Sequence, residues 1–177
     1  MENQNYPVSK HSFIYAVYIS VALIILTLVF YVLDLYAETW PGYISYAVLL
    51  AGVVMASIHY RDKRLGGYAT YGQSFSSGFM AGLIASIIMG IFTFIYMTLM
   101  GDTMHDALMM NAEEEMLRRT PDMTDEQLEM GMKIAENMMK PWWLSIMAML
   151  AYIFSSLVFS LIASIFIKKV QPETAGE

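Results

Sequence analysis

The side chains best suited to chemistry crowd into one stretch of this 177-residue chain, between Gly101 and Pro141. Asp102, His105, Asp106 and Met109 recur at helical spacing and could approach one cation. Met130-Gly131-Met132 and Met138-Met139 add thioether sulfur, a soft donor suited to Cu(I). Thirteen of the 17 methionines fall between Met97 and Met149. No His/Met repeat accompanies them, however, and they leave their helices in several directions. Methionine is also an adaptable apolar filler for marginal helix pairs and partner grooves. That role accounts for the pattern without a metal, so no metal ligand and no cofactor is assigned.

Catalytic constellations are missing. There is no H-E-x-x-H, no G-x-S-x-G and no pair of carboxylates within an apolar stretch. Gly72-x5-Gly78 lacks the G-K-[ST] ending and the preceding strand of a phosphate loop. The three histidines, His11, His59 and His105, lie at different helix ends; His59 reads as an ordinary interfacial histidine, with a rim hydrogen bond to Gln73 as the alternative. The many serines have no neighbouring base. Zero cysteines remove disulfides, zinc-thiolate sites and thiol nucleophiles. The residues point to a protein that is not an enzyme.

The elements that must position these residues are apolar. The chain is 57% hydrophobic and 15% charged, with mean hydropathy +0.49 and net charge −6. Soluble domains carry about a quarter charged residues, and nucleic-acid binders are basic. An all-α membrane protein is the class that remains. A helix needs about 20 apolar residues to cross a bilayer, and four stretches qualify: 12–33, 43–60, 75–100 and 142–167. Residues 1–177 thus form a single membrane domain with an insert at 101–141.

Lys and Arg are retained on the cytoplasmic side of short loops. Arg61, Lys63, Arg64, Lys168 and Lys169 share one side with both termini, and that side sums to +2. The opposite side sums to −8. Both termini are therefore expected in the cytoplasm. Trp40 and the Trp142-Trp143 pair would mark the outer rim, where amphipathic rings favour the interface.

Within lipid, helices associate through close backbone approach and interhelical hydrogen bonds. Gly78, Gly82, Ser86 and Gly90 repeat every four residues along the third span, and Ser156, Ser160 and Ser164 do so along the fourth. These stripes predict a tight pair, either within one chain or between copies in a homo-oligomer.

The insert reads as an extracytoplasmic amphipathic helical hairpin. A first helix over 102–119 carries Leu108, Met109, Ala112 and Met116; Thr120-Pro121-Asp122 ends it. Thr124 and Gln127 form a capping box that opens a second helix. Its stripe is Leu128, Met132, Ala135 and Met139. Gly101 and Pro141 are paired helix breakers, so the hairpin can bend where it leaves the bilayer. Ten acids against four bases argue against lying flat on anionic headgroups.

Tyr60-Arg-Asp-Lys-Arg-Leu-Gly-Gly-Tyr leading into Thr70-Tyr-Gly-Gln-Ser, followed by a glycine-rich helix, resembles a bacterial membrane family classed as domain of unknown function 4199. Met123-Thr-Asp-Glu-Gln-Leu-Glu and Asn137-Met-Met-Lys-Pro are similar to the family's polar insert before its last helix, and the likeness runs over roughly residues 8 to 170. The resemblance implies a Gram-negative inner membrane and supplies no activity and no catalytic residues. The expected role is that of an interaction or structural protein, meeting a membrane or periplasmic partner through the acidic hairpin. A small homo-oligomeric channel or transporter is the second choice, and Cu(I) binding the third.

Overall fold

The computed structural model describes residues 7–36 and 38–170, with the side chains of residues 101–103 outside that description. Five α-helices occur among the described residues: α1 (Val8–Val32), α2 (Trp40–Arg64), α3 (Tyr71–Arg119), α4 (Asp125–Met138) and α5 (Pro141–Ile167). Four apolar segments are long enough to cross a membrane: Val8–Val32, Trp40–Arg64, Tyr71–Met100 and Pro141–Ile167. These match the four spans expected from sequence, the first ending one residue earlier at Val32, and each begins one to four residues before the expected start.

α3 is the hub. It packs most extensively on α5 and also touches α1, α2 and α4, whereas α1 and α5 do not meet. The two outer helices thus flank the α2–α3 pair. Ala16, Ile19 and Leu23 of α1, Leu49, Val53 and Ala56 of α2, and Ala81, Ala85 and Met89 of α3 form the buried apolar core. Phe13, Val32, Tyr43, Phe154 and Phe166 are among the large apolar side chains on the outside. That inversion suits a lipid surround, which exacts no penalty for exposed hydrocarbon.

The expected helix break at Gly101 is absent. α3 runs unbroken for 49 residues, about 74 Å at the helical rise, more than twice the hydrocarbon thickness. One glycine costs a helix only about 1 kcal/mol relative to alanine. Met97, Met100, Met104, Ala107 and Leu108 on either side are strong helix formers, and Met104 is buried. Pro141, by contrast, does open a new helix, because its ring fits the first turn and no later one. α1 ends through Asp34, whose φ of 55° lies in the left-handed region.

Candidate functional site

Two sets of polar residues, at opposite ends of the bundle, could carry function. At the basic end, α2 stops at Arg64, and Gly66 and Gly67 reverse the chain with φ of 67° and 91°. Only glycine takes such angles cheaply. Ala69 and Lys169 then exchange backbone hydrogen bonds of 2.9 Å each way, which joins the α2–α3 loop to the end of α5. The Lys169 ammonium lies 5.4 Å from the centre of the Tyr68 ring. Thr70 and Gln73 cap α3 reciprocally, each side chain bonding the other's backbone N–H. Gly72 sits inside the first turn of α3 and not in the loop.

Arg61 has a larger task than retention on one side of a membrane. Its Nη1 donates to the Ile167 carbonyl at 3.0 Å, at the terminus of α5, while Nε pairs with Asp62 at 2.7 Å. A guanidinium there satisfies an orphan carbonyl and opposes the negative end of the helix dipole. Lys168 is the C-cap residue of the same helix. Lys63 and Arg64 lie in the last turn of α2.

Just inside this end lies a buried polar network. His11 Nε2 donates to the Ala56 carbonyl at 3.0 Å, and Ser77 Oγ reaches the same carbonyl at 3.2 Å. Ser12 donates to Ser77 O and Ser57 to Ser74 O, at 3.0 and 2.8 Å. These bonds tie α1, α2 and α3 together through carbonyls that the helix ladder already uses. His59 bonds the Tyr15 hydroxyl and not Gln73, which is committed to its cap. The network was not evident in the sequence because its members are single polar residues on three different helices. Their common depth below the basic end was the available signal.

The small-residue stripes lie along the helix seams. A Cβ built on Gly78 would stand 2.5 Å from Ser57 Oγ and 3.2 Å from Ser160 Oγ. One on Gly82 would meet Ser156, and one on Gly90 would stand 3.1 Å from Met149 Cβ. Gly78 therefore faces both α2 and α5. Ser86 Oγ donates back to Gly82 O and Ser164 Oγ to Ser160 O, while the hydroxyls of Ser156 and Ser160 are buried without a partner.

The acidic end is built by α4 against the projecting part of α3. Thr124 and Gln127 form the expected capping box. Leu128, Met132 and Met139 are half-buried and Ala135 is buried. Gly131 lies against Met116, whose Sδ would be 3.0 Å from an added Cβ. Glu115 pairs with Arg118 and Arg119, Lys133 with Glu129, and Lys140 donates to Asn137. The hydrogen bonds from Arg119 and Arg118 hold the Glu115 carboxyl below the ordinary carboxylate range. Each base is thus engaged locally, and Asp106, Glu113, Glu114, Asp122, Asp125, Glu126 and Glu136 remain exposed. A second apolar row, not foreseen from sequence, also faces outward: Met130, Ile134 and Met138 at i, i+4 and i+8, each at least half exposed.

Trp40 and Trp142 occupy the first turns of α2 and α5 at this same end and are half exposed. Trp143 stands edge-on to Trp142, with centroids 5.4 Å apart. Of the cation set considered from sequence, the Asp102 side chain lies outside the described residues. Among those described, no three His, Asp or Glu side chains converge on a point.

Residues 14–169 match the family model described as protein of unknown function DUF4199. The chain belongs to this family. No curated protein and no solved structure matches it. The match takes in the Gly66-Gly67 turn, the glycine stripe and the insert. DUF4199 membership consequently classifies the chain without assigning it an activity.

Proposed function

We propose that this DUF4199 chain is a non-enzymatic, multi-pass inner-membrane protein that engages a protein partner through its acidic end. The observation that carries the proposal is the exposed Met130–Ile134–Met138 row, set among exposed carboxylates. From 101 to 119, α3 rises about 28 Å beyond its apolar span and α4 returns along it, so Met130 stands well beyond the apolar spans while Met138 comes three residues before the span of α5 begins. Exposed apolar rows rimmed by charge are characteristic of interaction surfaces. Surplus negative charge makes a second copy a poor occupant, since like charges across an interface cost several kcal/mol. A partner with an apolar groove and basic edges complements both features.

The charge distribution supports a cytoplasmic basic end, with both termini inside and the α3–α4 hairpin in the periplasm. The outward faces of α1, α2 and α5 are apolar, which suits lipid and offers little lining for a pore between copies. Replacing Met130, Ile134 and Met138 together by serine in the full chain tests the proposal. In mild detergent the wild-type chain should migrate in a complex containing a second, different protein, and the triple variant should migrate alone. An unchanged complex would contradict it.

A further inference from the structure

The α3–α4 hairpin holds methionines in two settings. Met116 of α3 lies against Gly131, and Met132 and Met139 are half-buried on the inner stripe of α4. Met130 and Met138 face outward, 62% and 50% exposed, on either side of Ile134. Met55, Met80 and Met147 are exposed too, but each lies within an apolar span. Beyond the spans, Met110 of α3 is the one other exposed methionine among the described residues.

A thioether open to water is converted to its sulfoxide by two-electron oxidants, and dithiol-driven reduction reverses the change. The chain has no cysteine, so no thiol of its own competes for the oxidant. Charge selects among oxidants. Glu126, Glu129 and Glu136 are exposed around the row, and they repel hypochlorite anion while admitting neutral hypochlorous acid. Both side chains lie on the exposed side of α4, so an oxygen added there leaves the Met116–Gly131 contact in place.

We infer that Met130 and Met138 form a reversible oxidation site, where sulfoxide formation by hypochlorous acid breaks the contact with the partner. This regulation rests on the partner contact proposed above and gives that surface an off state. In the reaction the sulfur lone pair takes chlorine and hydroxide leaves. Water then adds to the chlorosulfonium sulfur, chloride departs and two protons are lost, one of them neutralising the hydroxide. Sulfur is oxidised by two electrons and chlorine is reduced to chloride, so the net products are the sulfoxide, chloride and a proton. In the reversal a dithiol becomes a disulfide and the oxygen leaves as water. A sulfoxide oxygen is a strong acceptor, and burying it unpaired in an apolar groove opposes association. Two such groups flank Ile134, so the row turns polar at both ends.

The test treats the full-length complex in mild detergent with limiting hypochlorous acid and quenches with free methionine. Peptide mass spectrometry maps the sulfoxides, and native electrophoresis reads the complex. Met130 and Met138 should be oxidised along with Met110 and ahead of Met116 and Met132, and most of the complex should be lost. Reductases for both sulfoxide epimers, supplied with a dithiol, should restore it. Met130→Leu combined with Met138→Leu keeps the row apolar without its sulfurs. That variant should hold its complex at the same dose, even where the partner is oxidised, whereas Met110→Leu should stay as sensitive as wild type. Oxidation spread evenly over buried and exposed methionines, a complex that survives oxidation of both residues, or equal loss in the leucine double variant would overturn the inference while leaving the partner contact standing. Absence of any complex before oxidant is added would overturn the partner contact, and this regulation with it.

Discussion

Gly82 of α3 receives Ser156 of α5 in the space that a Cβ would otherwise fill. The serine hydroxyl is buried there without a hydrogen-bond partner, so close packing and not a polar bond holds this seam. Where lipid and helix surfaces are equally apolar, such proximity is a main source of helix association. Gly82→Ala should destabilise the bundle by about 1–3 kcal/mol, the usual cost of overpacking. Ser156→Gly in the same chain should recover much of the loss. Unfolding of the purified variants in a mixed-micelle denaturant series would measure both.

Arg61 joins α2 to the end of α5 through the Ile167 carbonyl. Retention of a loop in the cytoplasm requires only positive charge, whereas this bond requires a guanidinium at that position. Arg61→Lys should therefore leave topology intact and loosen the Ala69–Lys169 bridge. Hydrogen bonds involving a charged group contribute about 1.5–3 kcal/mol. Amide hydrogen exchange at Ala69 and Lys169 is expected to accelerate in Arg61→Lys and to stay slow in Lys63→Gln.

Much of this architecture was legible from sequence. The four spans followed from length and hydropathy, because the bilayer sets a length that few other apolar segments reach. Pro141 and the Thr124–Gln127 box marked boundaries through chemistry acting within four residues. Gly101 misled because its cost is small and is outweighed by the helix formers around it and the burial of Met104. The same capping pattern at Thr70–Gln73 was available and lay hidden within the family motif. His11, Ser12, Ser57 and Ser77 could not be joined without knowing the rotation of each helix about its axis. Nor could one stripe on α4 show that a second, Met130–Ile134–Met138, would remain uncovered.

The chain has no cysteine, so single cysteines can report topology without interference. Asp122→Cys, in the turn between α3 and α4, should react in intact spheroplasts with a membrane-impermeant maleimide. Leu65→Cys, at the end of α2, should react only after permeabilisation. The reverse pattern would invert the orientation drawn from the Lys and Arg residues.

Glu115 gives the tip of α3 a pH dependence. With its carboxyl held below the ordinary range by Arg119 and Arg118, the native state binds this proton more weakly than the unfolded chain does. Its contribution is complete above the ordinary carboxylate pKa and is lost as pH falls through the lowered native value. Hydrogen exchange across residues 112–119 should therefore gain a local opening step on acidification. In Glu115→Gln that step should be absent, with faster exchange already at neutral pH.

The outward row of α4 is proposed to meet another protein. A photoreactive benzoylphenylalanine at position 134, in the full chain within its native membrane, tests this most directly. Illumination should give one discrete adduct with a different protein, and the same probe at position 129, on the polar side of α4, should give none. Adducts only with lipid or with a second copy of the chain, or equal yields from positions 134 and 129, would contradict the account.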